Sequence, residues 1–130
     1  MITFLKRLLS SPKQVEKIKE VVVEPARTRD SEKMKVERNL KGSEYEKEGK
    51  IELAIELYEK NVEKGFDGSH PYDSLCDIYR KQKRINDEIR VLRKAIKVFE
   101  KISDLRSDKR PKLERYKERL KKVIELRDKR

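Results

Sequence analysis

The sequence predicts an all-α protein, with two antiparallel helix pairs stacked as an α-solenoid, a flanking N-terminal helical segment and a C-terminal capping helix. Three observations predict it. Apolar residues recur at spacings of three and four along most of the chain, and no stretch alternates with period two for long enough to form a sheet. Charged residues make up 47% of the 130 and hydrophobic residues 35%, with no Trp, against ~25% charged in an ordinary globular domain. That is too little apolar material for the thick core of an α/β enzyme, and it favours slender helices with one wet face. Finally, residues 35–68 match residues 69–102 at a shift of 34.

The elements follow in order. Ile2, Leu5, Leu8 and Leu9, then Val15, Ile18 and Val22 after Pro12, mark two short helices over 2–9 and 12–23, an N-terminal amphipathic segment. Residues 24–33, around Glu-Pro-Ala-Arg-Thr-Arg-Asp-Ser, are polar, contain a proline and lack a period, so they read as a linker. A helix carrying Leu40 and Tyr45 should stop near Gly49, because glycine accepts the left-handed backbone that ends a helix. Ile51, Ala54, Ile55, Tyr58 and Val62 mark the face of the next helix, with Gly65 as its end and Phe66 folding back. Asp67-Gly68-Ser69-His70-Pro71 is a turn and a helix start, with Ser69 or His70 as N-cap and Pro71 in the first turn, where no backbone donor is needed. Tyr72, Leu75, Cys76, Ile78 and Tyr79 mark the third helix, and Ile85, Ile89, Leu92, Ala95, Ile96 and Phe99 the fourth. After a polar stretch from Ser103 to Arg110, Pro111 opens a helix over 111–128 with Leu113, Tyr116, Leu120, Val123 and Ile124 on one face.

The internal match pairs Gly42 with Cys76, Tyr45 with Tyr79, Ile51 with Ile85, Ile55 with Ile89, Tyr58 with Leu92 and Val62 with Ile96. A helix–turn–helix period of 34 residues, with Tyr72-x2-Leu75-Cys76-x2-Tyr79 in one copy and Gly42-x2-Tyr45 and Ala54-x3-Tyr58 in the other, resembles the tetratricopeptide repeat family, in its short stand-alone bacterial form. Arg38 and Lys41 depart from the family's aromatic and Leu, Glu88 stands where its small Ala would, and the proline after the second helix is missing from both copies. A single hairpin of this kind cannot bury both faces, so the copies must stack.

The resemblance implies a function. In this family the first helices of successive repeats line a concave groove that holds a peptide or helix of a partner. It would place Asn39, Ser43 and Glu46 of the first copy, and Asp73, Asp77, Arg80 and Lys81 of the second, along that groove. The expected role is therefore a protein-binding adaptor and not an enzyme, with a protein or peptide partner or a second copy of the chain. Taken by themselves, Asp73 and Asp77 read first as solvated helix surface and second as a functional pair, and they make a clamp for a C-terminal carboxylate unexpected.

Motifs of catalysis are missing from the sequence. There is one histidine, no H-E-x-x-H, no phosphate-binding G-x-x-x-x-G-K and no G-x-S-x-G. No cofactor or metal is expected. Cys76 lies on an apolar helical face and reads as a small packed residue, while His70 reads as a turn or cap residue or a groove contact. The lone cysteine, the absence of a long apolar run and the basic residues inside the short N-terminal apolar stretch suggest a cytoplasmic, unprocessed chain.

The charge is uneven. The net charge is +11, and the last 28 residues hold twelve basic and six acidic groups, a surplus of +6. Arg115, Lys117, Arg119, Lys121 and Lys122 lie in the last helix, which raises nucleic-acid binding as the alternative function. Glu114, Glu118 and Glu125 interrupt that tract, and the tyrosines sit at core positions rather than free to stack on bases. Residues 2–9 raise a weaker possibility of attachment at a membrane surface.

Overall fold

A computed structural model describes residues 31–129. The helices expected over 2–9 and 12–23, and residues 24–30 of the 24–33 linker, lie outside the described residues, while Glu32 and Lys33 already belong to the first described helix, Glu32–Lys47. Within them the chain forms five α-helices: α1 (Glu32–Lys47), α2 (Ile51–Glu63), α3 (His70–Lys81), α4 (Ile85–Ser103) and α5 (Arg110–Asp128), with a 3-10 turn at Ser107–Lys109 leading into α5. No strand occurs among the described residues.

Each helix packs on the next in sequence, and α2 also touches α4. Side-chain contacts give the directions. Asn39 meets Asn61 and Glu46 meets Tyr58, so α1 and α2 are antiparallel. Gln82 reaches Glu52 while Tyr79 bonds Glu59, so α2 and α3 are antiparallel as well. Arg119 meets Glu88 while Tyr116 meets Phe99, which makes α4 and α5 antiparallel. Asp73 pairs with Lys112 and Asp77 with Arg119, so α3 and α5 run in the same direction.

The two turns inside the helix pairs share one backbone. Gly49 sits at φ 78° and Lys83, 34 positions later, at φ 61°. The amide of Lys50 donates to the carbonyl of Tyr45 over 2.8 Å, and the amide of Arg84 donates to the carbonyl of Tyr79 over the same distance. Glycine accepts this left-handed conformation freely, whereas lysine adopts it against the clash of its Cβ with the following carbonyl. At the end of α2, Gly65 turns left-handed at φ 71° and the Phe66 amide returns to the carbonyl of Asn61.

One apolar core runs from Ala54, Tyr58 and Val62 through Tyr72, Leu75, Cys76 and Tyr79 to Leu92, Ala95, Phe99, Leu113, Tyr116 and Val123. Tyr72, Phe99 and Tyr116 meet edge to face, with centroids 5.3–6.3 Å apart. Three of the six matched pairs are buried in both copies, Gly42 with Cys76, Ile55 with Ile89, and Tyr58 with Leu92, while Tyr45, Ile51 and Ile96 are half-buried opposite buried counterparts. Gly42 is held small by its neighbour, because a Cβ there would lie 2.6 Å from the Tyr58 ring. One detail differs from the sequence reading: Leu40 is 62% exposed, and the buried residues of α1 are Asn39 and Gly42. As the spacing predicts, α4 runs on through Phe99; it is 19 residues long against 13 for α2, and its added turns bring Phe99 against Tyr116 of α5.

Candidate functional site

The first turn of α3 needs little help from its cap: Ser69 precedes it without a side-chain hydrogen bond, Pro71 occupies the first turn, and Asp73 sits there to complement the helix dipole. Its apolar face, Tyr72, Leu75, Cys76 and Tyr79, is buried, which turns Asp73, Asp77, Arg80 and Lys81 the other way. On α5, burial of Leu113, Tyr116 and Val123 leaves Lys112, Arg115, Arg119 and Lys122 on the flank toward α3, at spacings of three, four and three. Between the two flanks lies a cleft of about 860 Å³, whose walls also include Tyr116 and Glu118.

The cleft is braced by charge. Glu88, on α4, is completely buried (0% exposed). Arg80 donates to it twice, from Nε to Oε1 at 2.7 Å and from Nη2 to Oε2 at 3.0 Å. Arg119 donates from Nε to the same Oε2 at 2.8 Å, and from Nη1 to Asp77 at 3.1 Å. One carboxylate thus ties α3 and α5 to α4. It stands where the first copy has Ala54, so the departure from the small-residue pattern has a structural reason. Further along, Lys112 pairs with Asp73 at 2.9 Å and lies over the Tyr116 ring at 5.7 Å.

Two groups behind the cleft hold their protons more tightly than usual. Burial pushes the Cys76 thiol up to about 12, against a smaller opposing pull from Arg119. Burial, with the nearby Asp73 carboxylate, raises the Tyr116 hydroxyl well above its ordinary value. That hydroxyl is buried beside Asp73 without a hydrogen bond of good geometry. Cys76 is therefore a neutral thiol packed in the core, without the low pKa a nucleophile needs.

A second polar cluster joins α1 to α3. Ser43 Oγ lies 3.0 Å from His70 Nε2 and 3.3 Å from the Tyr58 hydroxyl. Tyr58 donates to Glu46 at 2.6 Å and meets the His70 ring edge to face at 5.4 Å. Burial first, and the bond to Glu46 second, raise the Tyr58 hydroxyl above its usual range.

The seven expected groove residues therefore divide into three groups. Asp73, Asp77, Arg80 and Lys81 all line the α3/α5 cleft. Ser43 and Glu46 meet each other's partners at Tyr58, beside His70, and outside that cleft. Asn39 is only 9% exposed, and it accepts a hydrogen bond of 2.8 Å from Asn61, whose amide also donates to the carbonyl of Lys35. Asn39 is turned into the α1/α2 contact rather than outward, because Asn61 brings an amide into an otherwise apolar seam and needs polar partners there.

The opposite wall of the cleft was not among the expected residues. Arg115, Arg119 and Lys122 were legible as part of a basic tract, Lys112 was not singled out, and none was legible as a wall facing α3. The available signal was their three-four-three spacing, together with a buried-position Glu88 that required cations nearby. No group of His, Cys, Asp and Glu among the described residues could hold a metal ion. No helix among them is long and apolar enough to cross a membrane.

Comparison with family models, with curated proteins and with solved structures gives no match.

Proposed function

We propose that the chain is a protein-interaction module built of tetratricopeptide-like stacked hairpins, and that the α3/α5 cleft receives a segment of a protein partner. The observation that carries this reading is the cleft itself. Four of the residues that the repeat pattern assigns to a groove share one wall of it, and a parallel helix supplies the other. The shared turn geometry at Gly49 and Lys83, 34 residues apart, supports the stacking of like units. So do the antiparallel pairing within each hairpin and the contact of α2 with α4.

A nucleic-acid role for α5 has weaker support. Lys112, Arg119 and Lys117 each sit within 4 Å of a carboxylate of the chain, so part of the helix's basic charge is already paired. Tyr58, Tyr72, Tyr79 and Tyr116 are buried and offer no stacking surface.

The test is an affinity pull-down with mass spectrometry, comparing the natural chain with Lys81→Glu plus Arg115→Glu. Arg80 is left intact, since reversing it would set a carboxylate against buried Glu88. The expected result is loss of specific prey with the double variant and retention with Lys60→Glu on exposed α2 surface. A prey list that does not change with the cleft variant rejects the reading.

A further inference from the structure

Building on the interaction reading, we infer that the occupant of the α3/α5 cleft is an acidic segment of a partner protein, held through Lys81, Arg115 and Lys122. Six cations line the cleft against three carboxylates: Arg80, Lys81, Lys112, Arg115, Arg119 and Lys122 against Asp73, Asp77 and Glu118. They fall into two sets. Arg80, Lys112 and Arg119 are bound at 2.7–3.1 Å to Glu88, Asp73 and Asp77, and they brace the walls. Lys122 reaches its carboxylate only at 3.9 Å, with its side chain 70% exposed. Lys81 and Arg115 are exposed and form no ion pair with a carboxylate among the described residues. The bracing is complete without these three, and they are what the cleft offers to a guest.

Tyr116 borders the cleft, but its hydroxyl is fully buried beside Asp73, so it shapes the floor and the basic side chains do the selecting.

Charge selects the class of guest. A second copy carries the same net +11 and is repelled. A nucleic-acid backbone presents phosphates continuously, and Asp73, Asp77 and Glu118 interrupt the walls. A peptide places its carboxylates discretely. Arg115 and Lys122 are seven residues apart on α5, roughly 10 Å along the axis, and a segment in the polyproline II conformation, with three residues per turn, advances about 9 Å in three residues and returns to the same face. Acidic residues three apart would therefore reach both.

The probe is a fluorescein-labelled peptide of Glu and Ala, blocked at both ends so that no terminal carboxylate contributes, with a Gln-for-Glu peptide and oligothymidylate as comparisons. Fluorescence anisotropy is read at about 50 and about 200 mM salt. The natural chain is expected to bind the Glu peptide and not the Gln peptide. Lys81→Gln plus Arg115→Gln, checked for helicity by circular dichroism, is expected to weaken binding by at least ~tenfold. No binding of the Glu peptide, or equal binding by the Gln double variant, overturns the inference. Oligothymidylate that binds more tightly and displaces the peptide also overturns it, in favour of nucleic acid. If prey are lost in the pull-down while the Glu peptide fails to bind, the cleft takes a protein but not an acidic one. If prey are unchanged and the peptide binds, the acidic site stands and the interaction reading fails.

Discussion

Replacing Glu88 with Ala puts into the second helix pair the residue that the first has at Ala54, and it should be costly. The natural carboxylate is fully buried and accepts three charge-assisted hydrogen bonds. Removing one partner of a buried ion pair costs about 3–5 kcal/mol when the remaining charge is trapped. Here the orphaned cations are not fully trapped: the side chains of Arg80 and Arg119 are 41% and 33% exposed and can turn to water. Part of the loss is also repaid, because the desolvation of the carboxylate is no longer needed. The expected loss is therefore about 2–3 kcal/mol. At a urea slope of about 1.5 kcal/mol/M, the unfolding midpoint falls by about 1.3–2 M. Far-UV circular dichroism on urea titration reads it, with Glu125→Ala on the exposed face of α5 as the control. Glu88→Met, apolar and of similar volume, should lose less than Glu88→Ala. A midpoint for Glu88→Ala within the shift of the control refutes the view that this carboxylate ties α3 and α5 to α4. A double-mutant cycle with Arg119→Ala should show coupling, and strict additivity would have the same effect.

The remaining predictions concern the backbone and pH. Lys83→Gly should stabilise the chain by about 0.5–1 kcal/mol, because φ 61° strains a residue bearing a Cβ. Gly49→Ala should destabilise it by about 1 kcal/mol at the matching turn, where φ is 78°. If both changes have the same sign in thermal melts, the shared left-handed turn is not the cause. Stability should also fall at alkaline pH. The Cys76 thiol is raised from 9.0 to about 12 in the fold, and the Tyr58, Tyr72, Tyr79 and Tyr116 hydroxyls are raised from 10.0. The native state thus keeps protons that the unfolded chain releases. The associated stability is whole below the unfolded values and is lost as pH climbs from about 9 upward, at up to ~1.4 kcal/mol per pH unit per group. Urea midpoints that hold constant from neutral pH to above 10 would contradict that account. By the same shift, native Cys76 should resist alkylation at neutral pH and react once urea unfolds the chain.

The helices and their turns were legible because local chemistry dictates them. Ile51 to Val62 and Ile85 to Phe99 carry their apolar residues at helical spacing, and most of the face they mark is buried: Ala54, Ile55, Tyr58 and Val62 on one helix, Ile85, Ile89, Leu92, Ala95 and Phe99 on the other. Gly49, Gly65 and Pro71 mark helix boundaries through backbone preferences that act within a few residues. α1 was the least legible helix inside the core. Its exposed Leu40 mimics a core residue, and its buried face is built from Asn39 and Gly42, which a hydrophobic pattern does not register. The polarity of that seam comes from Asn61, more than twenty positions away, and no local window contains both.

The same distinction explains why half of the candidate site was visible and half was not. Asp73, Asp77, Arg80 and Lys81 share one helix, so spacing alone puts them on a common flank once the apolar face is known. Their counterparts on α5 become a wall only through the pairing of Asp77 with Arg119 and of Asp73 with Lys112, contacts that span about forty residues. Glu88 is the link that sequence reasoning could have used. An acidic residue at a position that geometry reserves for a small, buried one cannot remain there without cations, since an unpaired buried carboxylate would protonate or expel itself. The demand falls on whatever basic residues can converge on it, and Arg80 and Arg119 both do so from the rims of the cleft. The departure from the repeat pattern and the existence of a charged cleft therefore have one cause: the buried anion draws two arginines inward, and the helices that carry them become the two walls.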